Sequence, residues 1–259
     1  MALHDGRRLL ALIPHPDDEA YSMAGLLAQA ASDGAAVFVI SATSGEAGYD
    51  HTTPDARPSD IASTRELELT QSCRILGLPP PRFMGWPDGG VADLPLAQAV
   101  ADLAHVVELV QPHVVVSLGA DGAYGHADHI ALWRFIWALL SNRAAGQDPV
   151  RWLSAAFPAA LFDAQRRRMA QGRDARQLVP PTGAPAVSTE IEVRLGSLRN
   201  RKLDAIAAHR SQLPDQDPRS LFPLGTVDAL LDVERFHLEA GPPLPPGASD
   251  PFGGLTAPA

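Results

Sequence analysis

Short unbroken apolar runs alternate along this chain with longer stretches of helical periodicity. Leu9 to Ile13 is one such run, stopped by Pro14, and Val37 to Ala42 and His113 to Leu118 are others. Runs of this kind read as strands covered on both faces, as in a parallel sheet. Arg82 to Trp86 predicts a further short strand. Between them lie helical segments. Glu19 to Ser32 is rich in Ala and Leu and is stopped by Asp33-Gly34, and Ile61 to Leu76 carries Ile61, Leu69, Cys73 and Leu76 on one face with Gly77 at its end. Leu94 to Val110 ends before Pro112, and Ala127 to Ser141 follows. Strand and helix thus alternate, which predicts an α/β fold: a doubly wound, mostly parallel, Rossmann-like sheet with right-handed crossovers and helices on both faces.

Past Asn142 the pattern gives a strand at Trp152 to Phe157, a short helix at Ala164 to Gln171 and a strand at Val187 to Val193. A helix at Leu195 to His209 and another within Thr226 to Leu238 complete the set. Residues 1–240 read as a single domain. Gly241 to Ala259 is Pro, Gly and Ala with almost no charge, a flexible or draped tail. Ser44 to Ser59, with Gly45, Gly48, Pro54 and Pro58, is too long for a bare link and reads as a functional loop.

Composition narrows the partners. The 259 residues hold 21 Lys and Arg against 30 Asp and Glu, a formal net charge of −9, which disfavours nucleic-acid binding. The one dense basic run, Arg166-Arg167-Arg168, reads as a solvated helix face. A hydrophobic content of 46% is enough for a sizeable core. No apolar run approaches the roughly 18 residues of a membrane span, and the run before Pro14 is too short for a secretory signal, so the expected address is cytoplasmic. Cys73 is the single cysteine, so it forms no intramolecular disulfide and reads as a buried thiol. A homo-oligomer is left open.

In open parallel sheets, ligands bind beyond the carboxyl ends of the strands. There the chain places His15-Pro16-Asp17-Asp18-Glu19 after the first strand and Asp121 through His129 after the fourth. His15, Asp18 and His129 offer two imidazoles and a carboxylate, the three-ligand set that leaves a fourth zinc position open for water. Asp17 is then a carboxylate free to take a proton, and His126 an imidazole that stabilises developing charge or protonates a leaving group. Taken singly, each segment has a plainer reading: Asp17 or Asp18 caps the following helix, and the HxxH pair is a chance surface feature. Their joint occurrence at two strand ends favours a metallohydrolase.

Three segments together, Pro14 to Glu19, Thr43 to Gly48 and Tyr124 to His129, resemble the signatures of the PIG-L/LmbE zinc N-deacetylases. The resemblance spans about residues 8 to 140, with weaker agreement at Lys202 to Gln212. It implies one zinc ion per chain on His15, Asp18 and His129, with Asp17 as general base and His126 as general acid or oxyanion stabiliser. Tyr124 would close over the substrate and polarise the acetyl carbonyl, and Asp128 would orient one histidine. Arg65 and Asp88 would contact the sugar or its aglycone. Plainer alternatives stand beside these: Arg65 pairs with Glu68 along its helix, Asp88 caps a turn, and Glu46 is either a group behind the site or a solvated loop residue. His209 echoes a family segment near the site or is a helix-end histidine. His4, His51, His105, His113 and His237 have no companions at ligand spacing.

The implied reaction removes acetyl from an N-acetylglucosamine carried on inositol, malate or another aglycone, as in mycothiol and bacillithiol pathways, so the implied partner is a small N-acetylated amino-sugar. An amidase acting on thiol conjugates shares this metal centre. Two histidines and a carboxylate also form the iron triad of non-haem oxygenases, but the alternating strand and helix order opposes their antiparallel barrel. A nucleotide-binding module lacks its glycine loop, since no G-x-G-x-x-G follows a predicted strand. Ala144 to Pro185 is expected to shape substrate choice.

Overall fold

A computed structural model describes residues 3–141, 149–158, 160–163, 165 and 191–256. Strands β1 (Arg8–Ile13), β2 (Ala36–Ser41), β3 (Arg82–Phe83), β4 (Val114–Leu118), β5 (Arg151–Ala156), β6 (Ile191–Arg194) and β7 (Val233–Ala240) form one sheet. Its order is β3-β2-β1-β4-β5-β7-β6. The pairs β3/β2, β2/β1, β1/β4 and β4/β5 are parallel, and only β7 runs antiparallel to its neighbours β5 and β6.

The described helices are α1 (Asp18–Ser22), α2 (Ala24–Ser32), α3 (Pro58–Leu76), α4 (Leu96–Val110), α5 (Gly122–Gly125), α6 (Ala127–Ser141), α7 (Arg199–Ala208) and α8 (Thr226–Leu230). Because side chains alternate across a strand, β1 feeds two cores. Leu9, Ala11 and Ile13 pack with α2, α3 and α7, while Leu10 and Leu12 pack with α4 and α6 on the other face. Each fully buried leucine or isoleucine among them contributes about 1.5–3 kcal/mol. The helices after β1 and those after β4 therefore leave toward opposite faces, and a crevice opens between the carboxyl ends of these adjacent strands.

Several elements depart from expectation for identifiable reasons. The helix expected at Glu19 to Ser32 breaks at Met23, which has φ −147°. Glu234 reaches in from β7 to accept the Gly25 and Leu26 N–H groups, both at 2.8 Å, and Lys202 pairs with Glu234 while donating to the Tyr21 carbonyl. A buried ion pair thus supplies the missing helix bonds at the break. The third strand keeps only two residues before Gly85, whose φ is +72°. Pro95 delays α4 to Leu96. Within Thr226 to Leu238 the helix stops at Leu230, and strand β7 starts at Val233, its first four positions alternately half-buried and buried. The strand expected at Val187 to Val193 is described as Ile191–Arg194, its first four residues lying outside the described ones. Apart from Gln165, the expected helix at Ala164 to Gln171 likewise lies outside, as do the basic run at Arg166 and most of Ala144 to Pro185.

The described part of the C-terminal segment is draped over β5. Arg151, fully buried, donates to the carbonyls of Pro242, Pro243, Pro251 and Gly253 at 2.7–2.9 Å, and Phe252 is buried beside it. No helix of the described residues is long and apolar enough to cross a membrane.

Candidate active site

The first strand delivers its ligands through a strained turn. Asp17 sits at φ 118°, a left-handed conformation that costs an L-residue about 1–3 kcal/mol, and α1 starts directly after it. Neither acidic side chain caps that helix as the plainer reading had it. Asp18 Oδ2 instead turns back to accept the His15 N–H at 2.9 Å. After β4, Gly122 takes φ +59°, where a Cβ would lie 2.8 Å from the Ile130 side chain, and Asp121 ties the turn by accepting the Ala123 N–H. That turn starts α6 with His126 before its first residue and His129 on its first turn.

The two strand ends meet. His15 Nδ1 lies 3.2 Å from His129 Nε2 and 3.4 Å from Asp18 Oδ2, and these last two are 3.5 Å apart. Tetrahedral zinc with ligands at about 2.0–2.2 Å places its ligand atoms about 3.3–3.6 Å apart, so the three atoms have the spacing of one face of such a tetrahedron. Other donor groupings occur around the same ring: His15 with His126 and His129, and His15 with Asp88 and Asp128. The second uses the opposite ring nitrogen. His15 Nε2 is 3.1 Å from both Asp128 and Asp88, so its proton belongs there and the Nδ1 lone pair is left facing Asp18 and His129. Asp128 is fixed in turn by the N–H groups of Gly89 (2.7 Å) and Val91 (3.2 Å).

The electrostatics suit a cation. Burial works to lower the His15 pKa, but Asp128, Asp18 and Asp88 reverse this and hold it well above its ordinary value. Three carboxylates thus favour positive charge at this point, which a divalent ion supplies without a proton. His129 is pushed down to about 3 by burial and by the neighbouring rings, against Asp18, so its ring is neutral and its nitrogen lone pair available. Burial alone would raise Asp18, yet His129 and His15 hold it well below the carboxylate range. The donor set therefore fits a zinc-type ion.

Asp17 stands apart from this triangle. Its Oδ2 is 3.3 Å from Arg65 Nη2, and burial pushes its carboxyl up to about 7 despite that guanidinium, a value near neutral pH. Arg65 is buried and does not pair with Glu68; it donates to the carbonyls of Gly45 and Pro16, close enough that a Cβ on Gly45 would meet it at 2.4 Å. Glu68 instead accepts from the Ser211 N–H and hydroxyl. Asp88 accepts the Ala47 N–H, while Glu46 accepts the Asp88 N–H, so these two residues stitch the loops after β2 and β3 together. His15 and these contacts hold Asp88 at about 2, overcoming its burial.

His126 stacks on His129 with centroids 4.6 Å apart and meets His15 edge-on at 4.8 Å. Its Nδ1 accepts the Asp128 N–H at 3.3 Å, which leaves the proton of the neutral ring on Nε2. Burial, then the His15 charge, lowers it to about 4. Tyr124 packs against His129 at 5.5 Å, with burial, Asp18 and Asp17 keeping its hydroxyl protonated. All ten site residues expected from the sequence thus gather around one crevice. Its cavity of about 780 Å³ is lined by eight of them, Arg134 and Gln212 among others; buried His129 and Glu46 stand behind the lining.

Sequence reasoning gave no role to Arg134, Gln212, Ser72 or Glu19. The i, i+4, i+8 spacing of His126, Ile130 and Arg134 was the available signal for the first. His209 does end helix α7, and it is fully buried there and bonded to Glu19 at 2.8 Å. A second cavity of about 790 Å³, near His4 and Asp250, lies away from these groups and gathers no comparable donor set among the described residues.

Comparison with known proteins agrees with this geometry. Residues 10–140 match the family model described as PIG-L, GlcNAc-PI de-N-acetylase. The 1D-myo-inositol 2-acetamido-2-deoxy-alpha-D-glucopyranoside deacetylase of Thermobispora bispora is 31% identical, over 95% of this chain and 93% of that protein. Among solved structures, the zinc inhibited form of teicoplanin deacetylase Orf2 superposes with a TM-score of 0.65 at 20% identity, covering 91% of this chain and 98% of that one. GalB, the 4-carboxy-2-hydroxymuconate hydratase of Pseudomonas putida KT2440, does so with 0.61 at 14%, covering 93% and 99%, a likeness of fold alone. The extent of the family match and of the Thermobispora relative places this chain in the PIG-L family of de-N-acetylases.

Proposed function

We propose that this protein is a zinc-dependent hydrolase that removes the acetyl group from the amine of an N-acetylglucosaminide, with a glucosaminyl inositol as the leading substrate. The observation that carries the reading is the triangle of His15, Asp18 and His129 atoms beside the separately held Asp17 carboxylate. The sugar-inositol substrate is supported by the printed activity of the Thermobispora relative. The zinc identity is supported by the nitrogen and oxygen donor set and its spacing.

A divalent ion held by these three residues supplies Lewis acidity, making water acidic near neutrality and polarising a carbonyl. The chain's own groups do the rest. Asp17 accepts the proton of the attacking water. The Nε2–H of His126 and the hydroxyl of Tyr124 donate to the acetyl oxygen as it gains charge, the contribution that is commonly largest in such reactions. The proton held by Asp17 then passes to the amine nitrogen as the C–N bond breaks, giving acetate and a free amine. Arg65 keeps Asp17 in place while engaged with two backbone carbonyls, and Asp88, which lines the same cavity, would meet sugar hydroxyls.

The test is acetate release from a panel of N-acetylglucosaminides, with inositol, malate and thiol-bearing aglycones, assayed with and without chelator. Chelator-sensitive release, fastest from the inositol glycoside, is expected. Release only from a thiol-conjugate amide favours the amidase reading, and no release from any member contradicts deacetylation.

A further inference from the structure

The reaction above leaves Glu19 unused, although its carboxylate is fully buried directly beneath the site. One oxygen accepts the Asp17 N–H at 3.1 Å. The other accepts from the Ser72 hydroxyl at 2.6 Å and bonds His209 Nε2 at 2.8 Å. His209 comes from the segment after α7, 190 residues along the chain, and it too is fully buried, with its Nδ1 unpartnered. A buried unpaired nitrogen and an L-residue at φ 118° both cost stability, and both occur here, next to a reactive carboxylate. Costs concentrated at one point are the mark of a geometry that the chemistry requires.

Asp17 is fixed on three sides. Its N–H is held by Glu19, its carbonyl accepts the Ala20 and Tyr21 N–H groups, and its carboxylate meets Arg65. Only the first of these contacts ties the turn to the C-terminal half of the chain. We propose that Glu19, braced by His209 and Ser72, is a positioning residue that holds the Asp17 backbone in its left-handed conformation and so aims the Asp17 carboxylate. The inference rests on Asp17 being the base. What it requires of residue 19 is a hydrogen-bond acceptor for the Asp17 N–H, rather than a charge. Glutamine satisfies that requirement, because His209 then turns to its other tautomer, with Nε2 accepting from the amide.

The experiment is a double-mutant cycle on the zinc-loaded enzyme, with kcat, KM, bound zinc and folding measured for each variant. Displacing a reacting group by about 1 Å costs about 100-fold, so Glu19→Ala is expected to lower kcat by about that factor while KM and zinc content hold. In the Asp17→Asn background the same change should alter the residual rate by less than about threefold, because residues acting as a unit are not additive. Glu19→Gln should stay within about tenfold of the wild-type kcat. Equal losses in both backgrounds, an unchanged kcat in Glu19→Ala, or a Glu19→Gln as slow as Glu19→Ala would each overturn the proposal. Should Glu19→Ala fail to fold, Ser72→Ala carries the cycle: a several-fold loss confined to the wild-type background is expected, and an equal loss in both overturns it. If Asp17→Asn alone keeps full activity, the assignment of the base has failed instead, and that is visible before any Glu19 variant is measured.

Discussion

Single atoms decide the chemistry of this site. Asp17 and Asp18 are neighbours in sequence, yet burial pushes the first up to about 7 while His129 and His15 hold the second well below the ordinary range. Two carboxylates with opposed tendencies make one a base and the other a ligand. Asp17→Asn is accordingly expected to keep its bound ion and lose about 10²–10⁴ in kcat, measured by acetate release and metal analysis. Asp128 acts one step further out, through the His15 Nε2 proton, and Asp128→Ala should weaken metal affinity about 10–100-fold in a competition titration with chelator. Cys73 is the opposite case: burial, then Glu19, raises its thiol pKa strongly. It should resist a thiol reagent in the native protein and react as one equivalent after denaturation; fast native labelling would contradict its burial.

Elements place those atoms. The break at Met23 is held by the buried pair of Lys202 and Glu234, 2.8 Å apart, which also closes β7 against α2. Lys202→Met leaves the Glu234 charge without its partner and should cost about 3–5 kcal/mol in urea denaturation. A loss below about 1 kcal/mol would show that the two helix N–H groups satisfy Glu234 alone. These features also mark the limit of what the sequence reveals. Strands β1 and β4, and the second half of β2, are legible because continuous burial writes continuous apolar runs, and the His15 and His129 segments because each follows such a run. Strand β7 is not. Burial alternates from Val233 to Phe236, but the residue types do not: the strand follows a true helical turn, and its buried Glu234 is polar because it serves a helix 208 residues away. Long-range partners of that kind leave no local signature, which is also why Glu19 and His209 could not be paired from spacing.

At the scale of the whole molecule, the strand order sends successive helices to opposite faces at β1 and β4, so the crevice arises from topology before any side chain is chosen. The same fold carries a hydratase, so activity here rests on the residues planted at the crevice rather than on the sheet. Those residues reach it from both ends of the chain. His15 arrives with the first strand and His209 with the segment after α7, while the C-terminal segment is tied across β5 by Arg151. The most direct measurement is a titration of zinc into chelator-stripped protein, following acetate release from an N-acetylglucosaminyl inositol. The account predicts no release from the stripped protein, a linear return that saturates at one zinc per chain, and no return in His129→Ala. Full release without metal, or equal recovery in His129→Ala, would contradict it.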